Sequence, residues 1–267
     1  MDLTDQSGRP LTLSFPPKRI VSLVPSQTEL LYDLGLEEEV VGITKFCVHP
    51  ETWFRQKKKV GGTKRLHLNI IRELHPDLII ANKEENEKEQ LEALMKDYPV
   101  WISDIDTLED ALAMIRSVGD ITNRKEQADR IAHNIGFRFQ QLRDYHQTSV
   151  TSSQKLRAAY FIWKNPWMAA GKDTFIHDML PRCGLENCFG HLSRYPQIAL
   201  DQLASAHCQV VLLSSEPFPF KEKHAEEIHI KFPEIKIIFV DGEMFSWYGS
   251  RLLQTPEYFK RISGSWI

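Results

Sequence analysis

The residues that first suggest chemistry lie in the segment TKFCVHPETW, residues 44–53. Cys47 and His49 stand two residues apart there, after an apolar run and before a proline. Thiolate and imidazole are both zinc ligands, and together they can also form a nucleophile with its base. A structural zinc site needs four ligands, and the sequence has no second pair at metal-binding spacing. Three interpretations stay open: half of a metal site, a nucleophile with its base, or a loop without such chemistry.

Bulky aromatic residues follow two predicted strands, in loops that contain glycine. Trp163 and Trp167 lie in WKNPWMAAG, and Phe245 and Trp247 lie in GEMFSWYGSR. Some of these rings are expected in the core, but aromatic side chains on strand-end loops commonly line a pocket for a flat, partly apolar ligand. The sequence therefore favours a binding site of this kind.

Enzyme activity is not expected from the sequence. It contains no G-x-S-x-G elbow, no phosphate-binding loop and no G-x-G-x-x-G fingerprint. A further alternative is a cytoplasmic enzyme or metal-handling protein that uses Cys47, His49 and Glu84. Glu84 follows a predicted strand in NKEEN, where a solvated helix start is the simpler interpretation.

The composition is that of an ordinary globular protein. The 267 residues include 26% charged residues and carry a net charge of −3, so no basic excess points to nucleic acid. No apolar run approaches the length of a membrane span, and the first twenty residues lack the pattern of an export signal. The four cysteines are too few for a disulfide scaffold, and their spacing favours buried free thiols.

Strands alternate with helices along most of the chain, which indicates α/β architecture with parallel sheets. Two Rossmann-like lobes are expected, at residues 1–106 and 147–267. Residues 107–146 keep helical spacing of apolar residues without a proline, which predicts one long spine helix between the lobes. Ser26 and Glu29, at capping-box spacing, predict a helix start after the first buried strand.

One segment of each predicted lobe has a related sequence. LNIIRELHPDLIIANKE (68–84) aligns with LDQLASAHCQVVLLSSE (200–216) at an offset of 132 residues. Both contain a strand that ends in small polar residues and a glutamate, Glu84 or Glu216. Ligands of open α/β sheets bind beyond the carboxyl ends of the strands, so a ligand cleft between the lobes is expected.

The chain resembles the periplasmic substrate-binding proteins of ABC importers, and among them the cobalamin-binding proteins most closely. The resemblance covers residues 18–262 and extends to the siderophore and haem binders of the same superfamily. It is carried by the segments RIVSLVPSQTELLYDLGL, VVGITKFCVHP, VGGTKRLHLNIIRELHPDLIIA, NPWMAAGKDTFIHDMLPRCGLENCF, RYPQIALDQLASAHCQVVLLSS and DGEMFSWYGSRLL.

The resemblance implies a monomeric binding protein without a cofactor, which delivers its ligand to a membrane permease and an ATPase. It implies cobalamin or a related corrinoid as the ligand, held by aromatic and polar loop residues. The positions that match the family's contact loops are Pro25, Ser26, Thr28, Lys45, Phe46, Cys47, His49, Gly62, Thr63, Lys64, Trp163, Asn165, Trp167, Arg194, Tyr195, Glu216, Phe218, Phe245 and Trp247.

Haem or a ferric siderophore is the alternative ligand, because Lys45, Lys64, Lys172 and Arg194 could meet an anionic chelate. A metal carried by the ligand could take Cys47 or His49 as an axial ligand without any other protein ligand.

The resemblance also suggests the partner surface and the compartment. Asn69 stands where the cobalamin binders have a permease-docking glutamate, so Glu84 and Glu216 are the docking candidates. The resemblance implies the periplasm or cell envelope, while the missing export signal leaves the cytoplasm as an alternative.

Overall fold

The computed structural model describes residues 1–149 and 155–264, and these form two compact units. The first unit comprises residues 1–105, 109–135 and 248–251, and the second comprises residues 106–108, 136–247 and 252–267 as far as they are described. Among the described residues, no helix combines the length and the apolar character needed to cross a membrane.

The first unit is built on a parallel five-stranded sheet. A separate antiparallel hairpin consists of β1 (Asp2–Thr4) and β2 (Pro10–Thr12). The strands of the five-stranded sheet are β3 (Ile20–Ser22), β4 (Val40–Ile43), β5 (Lys58–Lys59), β6 (Leu78–Asn82) and β7 (Val100–Ser103). The helices are α1 (Pro25–Asp33), α2 (Glu51–Gln56), α3 (Leu68–Glu73), α4 (Lys88–Met95) and α5 (Leu108–Ile121), followed by the first part of α6 (Lys125–Ser149), whose later residues belong to the second unit. The sheet order is β5-β4-β3-β6-β7, so the fully buried β3 and β6 lie at its centre.

The second unit repeats this plan with a parallel sheet of order β10-β8-β11-β12 and a short antiparallel strand, β9, beside β8. The strands are β8 (Leu156–Trp163), β9 (Met168–Ala169), β10 (Leu185–Asn187), β11 (Val210–Ser214) and β12 (Lys236–Val240). The helices are α7 (Phe175–Arg182), α8 (Gln202–Ser205), α9 (Glu222–Lys231), α10 (Glu243–Ser246) and α11 (Thr255–Ser263), with a 3₁₀ turn at Ser250–Leu253. The predicted α/β class with parallel sheets is confirmed in both units.

The predicted spine is two helices rather than one. Asn123 has a left-handed backbone (φ 59°) and separates α5 from α6. The long helix is confirmed as α6, which passes from the first unit into the second after Ile135. It begins at Lys125 rather than near Thr107, because the chain turns between α5 and α6.

The related segments of the two units adopt equivalent structures. Leu78–Asn82 and Val210–Ser214 are β6 and β11, and each lies inside its parallel sheet. The aligned residues His75 and His207, which precede these strands, both have positive φ, at 43° and 50°. The sequence similarity therefore extends to the backbone of the turn that enters each strand.

A short return segment, residues 248–251, packs against α1 within the first unit. The Arg251 guanidinium donates to both Glu29 carboxylate oxygens, at 2.7 and 3.0 Å. Gly249 passes so close to α1 that a Cβ there would lie 2.3 Å from the carbonyl oxygen of Ser26. The Arg251–Glu29 ion pair therefore holds this segment on α1, and the lack of a side chain at Gly249 allows the close approach.

Candidate functional site

The start of α1 presents less polar surface than predicted. Pro25 is the first helical residue, and Ser26, with 3% exposure, makes no side-chain cap bond there. Thr28 is fully buried, and its Oγ1 lies 2.7 Å from Ser22 Oγ and 2.9 Å from the carbonyl oxygen of Val24. The Thr28 hydroxyl therefore fastens α1 to β3 and has no exposed surface for a ligand.

The loop after β4 separates its side chains into exposed and buried ones. Phe46 is 52% exposed, with Lys45 Nζ 5.0 Å from its ring centroid, and His49 is half-buried. Cys47 is fully buried, and its Sγ lies 3.0 Å from Thr28 Oγ1 and 3.2 Å from Thr44 Oγ1. Burial raises the pKa of the Cys47 thiol, so the side chain is protonated and unreactive at neutral pH.

The turn after β5 packs beneath this aromatic ring. A Cβ on Gly62 would lie 3.0 Å from Phe46 Cε2, so the missing side chain leaves space for the ring. Thr63 is 8% exposed, whereas Lys64 is exposed. Lys64 Nζ donates to the carbonyl oxygen of Glu84 at 2.8 Å and lies 3.4 Å from the Glu87 carboxylate.

The acidic loop after β6 is held by an asparagine that the sequence did not single out. Asn82 Oδ1 accepts the backbone N–H groups of Glu84 at 2.8 Å and Glu85 at 2.9 Å. Both glutamates are half-buried. The Glu84 backbone thus has a defined position next to the turn that carries Lys64.

The strand-end loops of the second unit form an aromatic cluster. Trp163 is the last residue of β8, with 41% exposure, and its ring forms a T-shaped contact with that of Phe218 at a centroid distance of 5.6 Å. Trp167 is half-buried and stacks on Phe220 at 5.7 Å. Lys164 lies over the Trp167 ring at 4.6 Å and pairs with the Glu227 carboxylate. Trp163 is the member that presents a large exposed face.

A second group of predicted contacts lies in loops of the same unit. Asn165 and Arg194 both have left-handed backbones, with φ of 65° and 59°. Arg194 Nη1 lies 3.4 Å from Asp106 Oδ1 and also donates to the carbonyl oxygen of Asp173. The guanidinium lies 5.7 Å from the ring centroid of Tyr195. The charge of Arg194 is therefore partly compensated within the protein.

Glu216 is engaged with two neighbours after β11. Its Oε1 accepts from Trp247 Nε1 at 2.8 Å and from Ser246 Oγ at 3.1 Å. Burial raises the pKa of the Glu216 carboxyl despite these bonds, and the nearby Glu243 and Asp241 carboxylates add to the rise. The Glu216 carboxylate thus anchors the α10 segment.

Two of the predicted aromatic contacts are core residues. Phe245 is fully buried and packs on Tyr160 at 5.1 Å and on Phe259 at 4.7 Å between ring centroids. Trp247 is 6% exposed. The sequence grouped them with Trp163 as aromatic residues of strand-end loops, but Phe245 lies in the short helix α10, Trp247 caps the end of that helix, and Trp163 ends β8.

Sequence reasoning missed Asn86 and Gln90, which bond the turn after β5. Asn86 Nδ2 donates to the carbonyl oxygen of Thr63 at 3.0 Å, and Gln90 Nε2 donates to that of Lys64 at 2.9 Å. The available signal was the position of Asn82 and Asn86 around an acidic run after a strand, where asparagine side chains commonly bond the backbone.

The protein-only metal interpretation finds no cluster in the described part of the chain. There, no three His, Cys, Asp or Glu side chains come together as a group that could hold a metal ion. The four cysteines are buried free thiols, as predicted. The Cys47–His49 pair does not act as a unit, since the thiol is enclosed and bonded to threonines.

A family model for periplasmic binding proteins matches residues 20–229, which is most of the chain. A protein of Pectobacterium carotovorum subsp. carotovorum (strain PC1), named vitamin B12-binding protein, is 27% identical over 241 residues, with 89% of this chain and 85% of the relative covered. The family description and the name of this relative both refer to binding proteins.

Two solved structures share the fold. The periplasmic vitamin B12 binding protein of Vibrio cholerae superimposes with a TM-score of 0.78 at 22% identity, over 95% of this chain and 99% of its own. A periplasmic haem binding protein from Pseudomonas aeruginosa superimposes with a TM-score of 0.79 at 21% identity, over 94% and 92%. The same fold thus accompanies two kinds of ligand, and the side chains must discriminate between them.

Proposed function

Since residues 20–229 match its model, the chain belongs to the periplasmic binding protein family, and we propose that it binds cobalamin or a related corrinoid for an ABC import system. It has no catalytic role in this proposal, and the corrinoid is the transported ligand rather than a cofactor. A relative named for vitamin B12 binding, aligned over 89% of the chain, supports this choice of ligand.

The observation that carries the proposal is the exposure of two large aromatic side chains, one at the end of β8 and one in the loop after β4. Phe46 is 52% exposed and Trp163 is 41% exposed, although burial is the usual state of such side chains. Exposed aromatic rings beside polar loop groups suit a large, flat, partly apolar ligand. A corrin ring with its amide arms has this character.

The pairing of the cationic side chains favours a corrinoid over an anionic chelate. Lys64 already lies near Glu87 at 3.4 Å, and Arg194 lies near Asp106 at 3.4 Å. Binding the carboxylates of haem would have to compete with these carboxylates, whereas the neutral carboxamides of a corrinoid would not. Of the four cations predicted to meet an anionic ligand, the other two are Lys45, which lies over the Phe46 ring, and Lys172, which is exposed.

An axial protein ligand to the ligand's own metal would be His49 rather than Cys47. Cys47 has no exposed surface, and burial raises the pKa of its thiol. His49 is half-buried on the same loop. Its imidazole is therefore the group of this loop that could reach a cobalt or iron ion.

The proposal includes a cell-envelope location and docking to a permease with its ATPase. Support comes from the family and from relatives named as periplasmic proteins. Glu84 and Glu216, which follow the equivalent strands β6 and β11, are the proposed docking residues.

Calorimetric titration with cyanocobalamin and dicyanocobinamide tests the ligand directly. We expect binding at micromolar ligand or tighter, weakened by Trp163→Ala and by Phe46→Ala. Phe137→Ala is the matched control, because Phe137 is 57% exposed on α6 and lies outside the strand-end loops. Absence of heat from both corrinoids, together with a Soret band on mixing with haem, would replace the corrinoid by haem.

A further inference from the structure

In the turn after β5, Lys64 and Arg65 are exposed and the other residues are buried, and two side-chain amides bond its backbone. We call residues 61–66 the glycine turn, since Gly61 adopts a φ of 104° and Gly62 donates to the carbonyl oxygen of Arg65 at 2.8 Å. Gly61 also pairs with Leu66 across the turn. The turn contains three of the predicted ligand contacts, at residues 62–64.

Asn86 ties the glycine turn to the end of β6. Its side chain is 4% exposed, and its Nδ2 donates to the carbonyl oxygen of Thr63 at 3.0 Å. Its Oδ1 accepts the backbone N–H of Asn82 at 2.9 Å. One amide therefore bonds two loops that are distant in sequence, and it uses both of its polar atoms.

Gln90 on α4 holds the other side of the same turn. Its Nε2 donates to the carbonyl oxygen of Lys64 at 2.9 Å, and its Oε1 accepts the backbone N–H of Leu66 at 2.7 Å. A carboxylate could accept from Leu66 but could not donate to Lys64. The position therefore requires an amide to make both bonds.

The glycine turn in turn supports the exposed aromatic ring of the neighbouring loop. Lys45 donates its backbone N–H to the carbonyl oxygen of Gly61 at 2.8 Å. The Phe46 ring lies against Gly62, where a Cβ would come within 3.0 Å of it. Movement of the turn would consequently move the surface on which this ring rests.

We propose that Asn86 and Gln90 are positioning residues, which hold the glycine turn and thereby fix Phe46 in the geometry that the ligand meets. The inference rests on the proposed function for its ligand, and neither residue is itself a proposed contact. When such amides fix a loop that contacts the ligand, their loss is expected to lower ligand affinity more than the stability of the fold.

The test compares Gln90→Glu and Asn86→Asp with Gln127→Glu. Each of the first two removes one donor and keeps the acceptor, and Gln127→Glu makes the same charge change at a half-buried helix position of the same unit. Hydrogen exchange of the ligand-free protein is followed in peptides that cover residues 61–67. Affinity for cyanocobalamin and the urea midpoint are measured on the same preparations.

We expect faster exchange in these peptides and roughly fivefold weaker cyanocobalamin binding for Gln90→Glu. The urea midpoint should match that of Gln127→Glu, whose exchange and affinity should equal those of the wild type. If Asn86→Asp fails to fold, Gln90→Glu still decides the matter, because Gln90 is only half-buried.

Unchanged exchange in both variants would overturn the inference, and so would faster exchange with unchanged affinity. A wild-type protein that binds no corrinoid would overturn the proposed function and the ligand part of this inference. Hydrogen exchange of the ligand-free variants would then still test whether Asn86 and Gln90 hold the glycine turn.

Discussion

Cys47 and His49 are close in sequence but have different surroundings. The Cys47 side chain is enclosed between Thr28 and Thr44, whereas His49 keeps part of its surface. Burial disfavours the thiolate more than the hydroxyls of Thr28 and Thr44 and the charge of Lys59 favour it, so the pKa of Cys47 is raised. A reactive or metal-binding cysteine needs the opposite environment.

We therefore predict that Cys47 resists alkylation in the folded protein. Iodoacetamide at neutral pH should label the Cys47 peptide slowly in buffer and rapidly in urea, because only unfolding exposes the sulfur. Peptide mass spectrometry after timed quenching gives both rates from one preparation. Equal rates in buffer and urea would contradict the enclosed thiol.

Glu216 gives a prediction about pH. Burial raises the pKa of its carboxyl above the ordinary value of 4.5, so the folded protein binds this proton more tightly than the unfolded chain. The stabilising contribution of the protonated carboxyl is complete below the ordinary pKa of 4.5, and it is lost as the pH rises through the pKa of the folded protein. Glu216→Gln keeps an oxygen for Trp247 and Ser246 and removes the charge.

The stability of Glu216→Gln relative to the wild type should hence rise from acid towards neutral pH. Urea unfolding at several pH values between 4 and 7 measures the difference. Glu226→Gln, at an exposed position of α9, should show no such trend. A constant difference across this range would show that the carboxyl titrates alike in the folded and unfolded protein.

At the scale of elements, the buried strands were the most predictable feature. β6 and β11 are runs of fully buried residues, and their apolar sequence identified them in both units. The start of α1 was predicted with Ser26 as its cap, but the helix begins at Pro25, a residue favoured in the first turn. The local sequence thus predicted the helix correctly but not the residue at which it begins.

The break between α5 and α6 could not be read from hydrophobic spacing. Apolar residues continue at helical intervals through residues 118–128, and only Asn123 adopts the left-handed backbone that turns the chain. Asparagine tolerates that conformation but does not require it. The site shows the same limit, since both Trp163 and Phe245 were predicted in loops after strands, whereas Trp163 ends β8 with an exposed ring and Phe245 is buried in α10.

Gly119 shows what the contact between α5 and α6 demands. A Cβ at this position would lie 2.2 Å from the Cβ of Ala128, far inside ordinary contact. Alanine is the better helix former by about 1 kcal/mol, which taken alone would stabilise α5. The overlap requires the helices to separate, and such overpacking typically costs about 1–3 kcal/mol.

We predict that Gly119→Ala lowers the free energy of unfolding by about 1–2 kcal/mol in urea. Gly8→Ala is not a suitable control, because Gly8 has a positive φ, so Ser117→Ala on the same helix serves instead. Ser117→Ala should change stability little or raise it. An increase in stability for Gly119→Ala would mean that the two helices accommodate the methyl group without separating.

Viewed as a whole molecule, the chain uses one plan in both units: a parallel sheet with polar and aromatic loops beyond its strand ends. The alignment of residues 68–84 with 200–216 now has a structural counterpart in β6 and β11 and in the turns that enter them. The glutamates at the ends of these segments differ, however. Glu216 is bonded inside its unit, and Glu84 is positioned through its backbone.

The proposed ligand should stabilise the native protein by mass action, which gives a prediction that needs no partner. A ligand that binds only the folded state adds about 2.7 kcal/mol at a concentration one hundred times its Kd. Cyanocobalamin should therefore raise the unfolding midpoint with a logarithmic dependence on concentration. Trp163→Ala should require more ligand for the same shift, because it removes the exposed ring at the end of β8.

A tenfold loss of affinity in Trp163→Ala corresponds to about 1.4 kcal/mol less stabilisation at fixed ligand concentration. Phe137→Ala should retain the full shift, since its exposed ring lies on α6 away from the strand-end loops. Thermal or urea unfolding with and without cyanocobalamin measures all three proteins. An equal shift in Trp163→Ala and Phe137→Ala would remove Trp163 from the ligand site, and no shift in the wild type would remove the corrinoid itself.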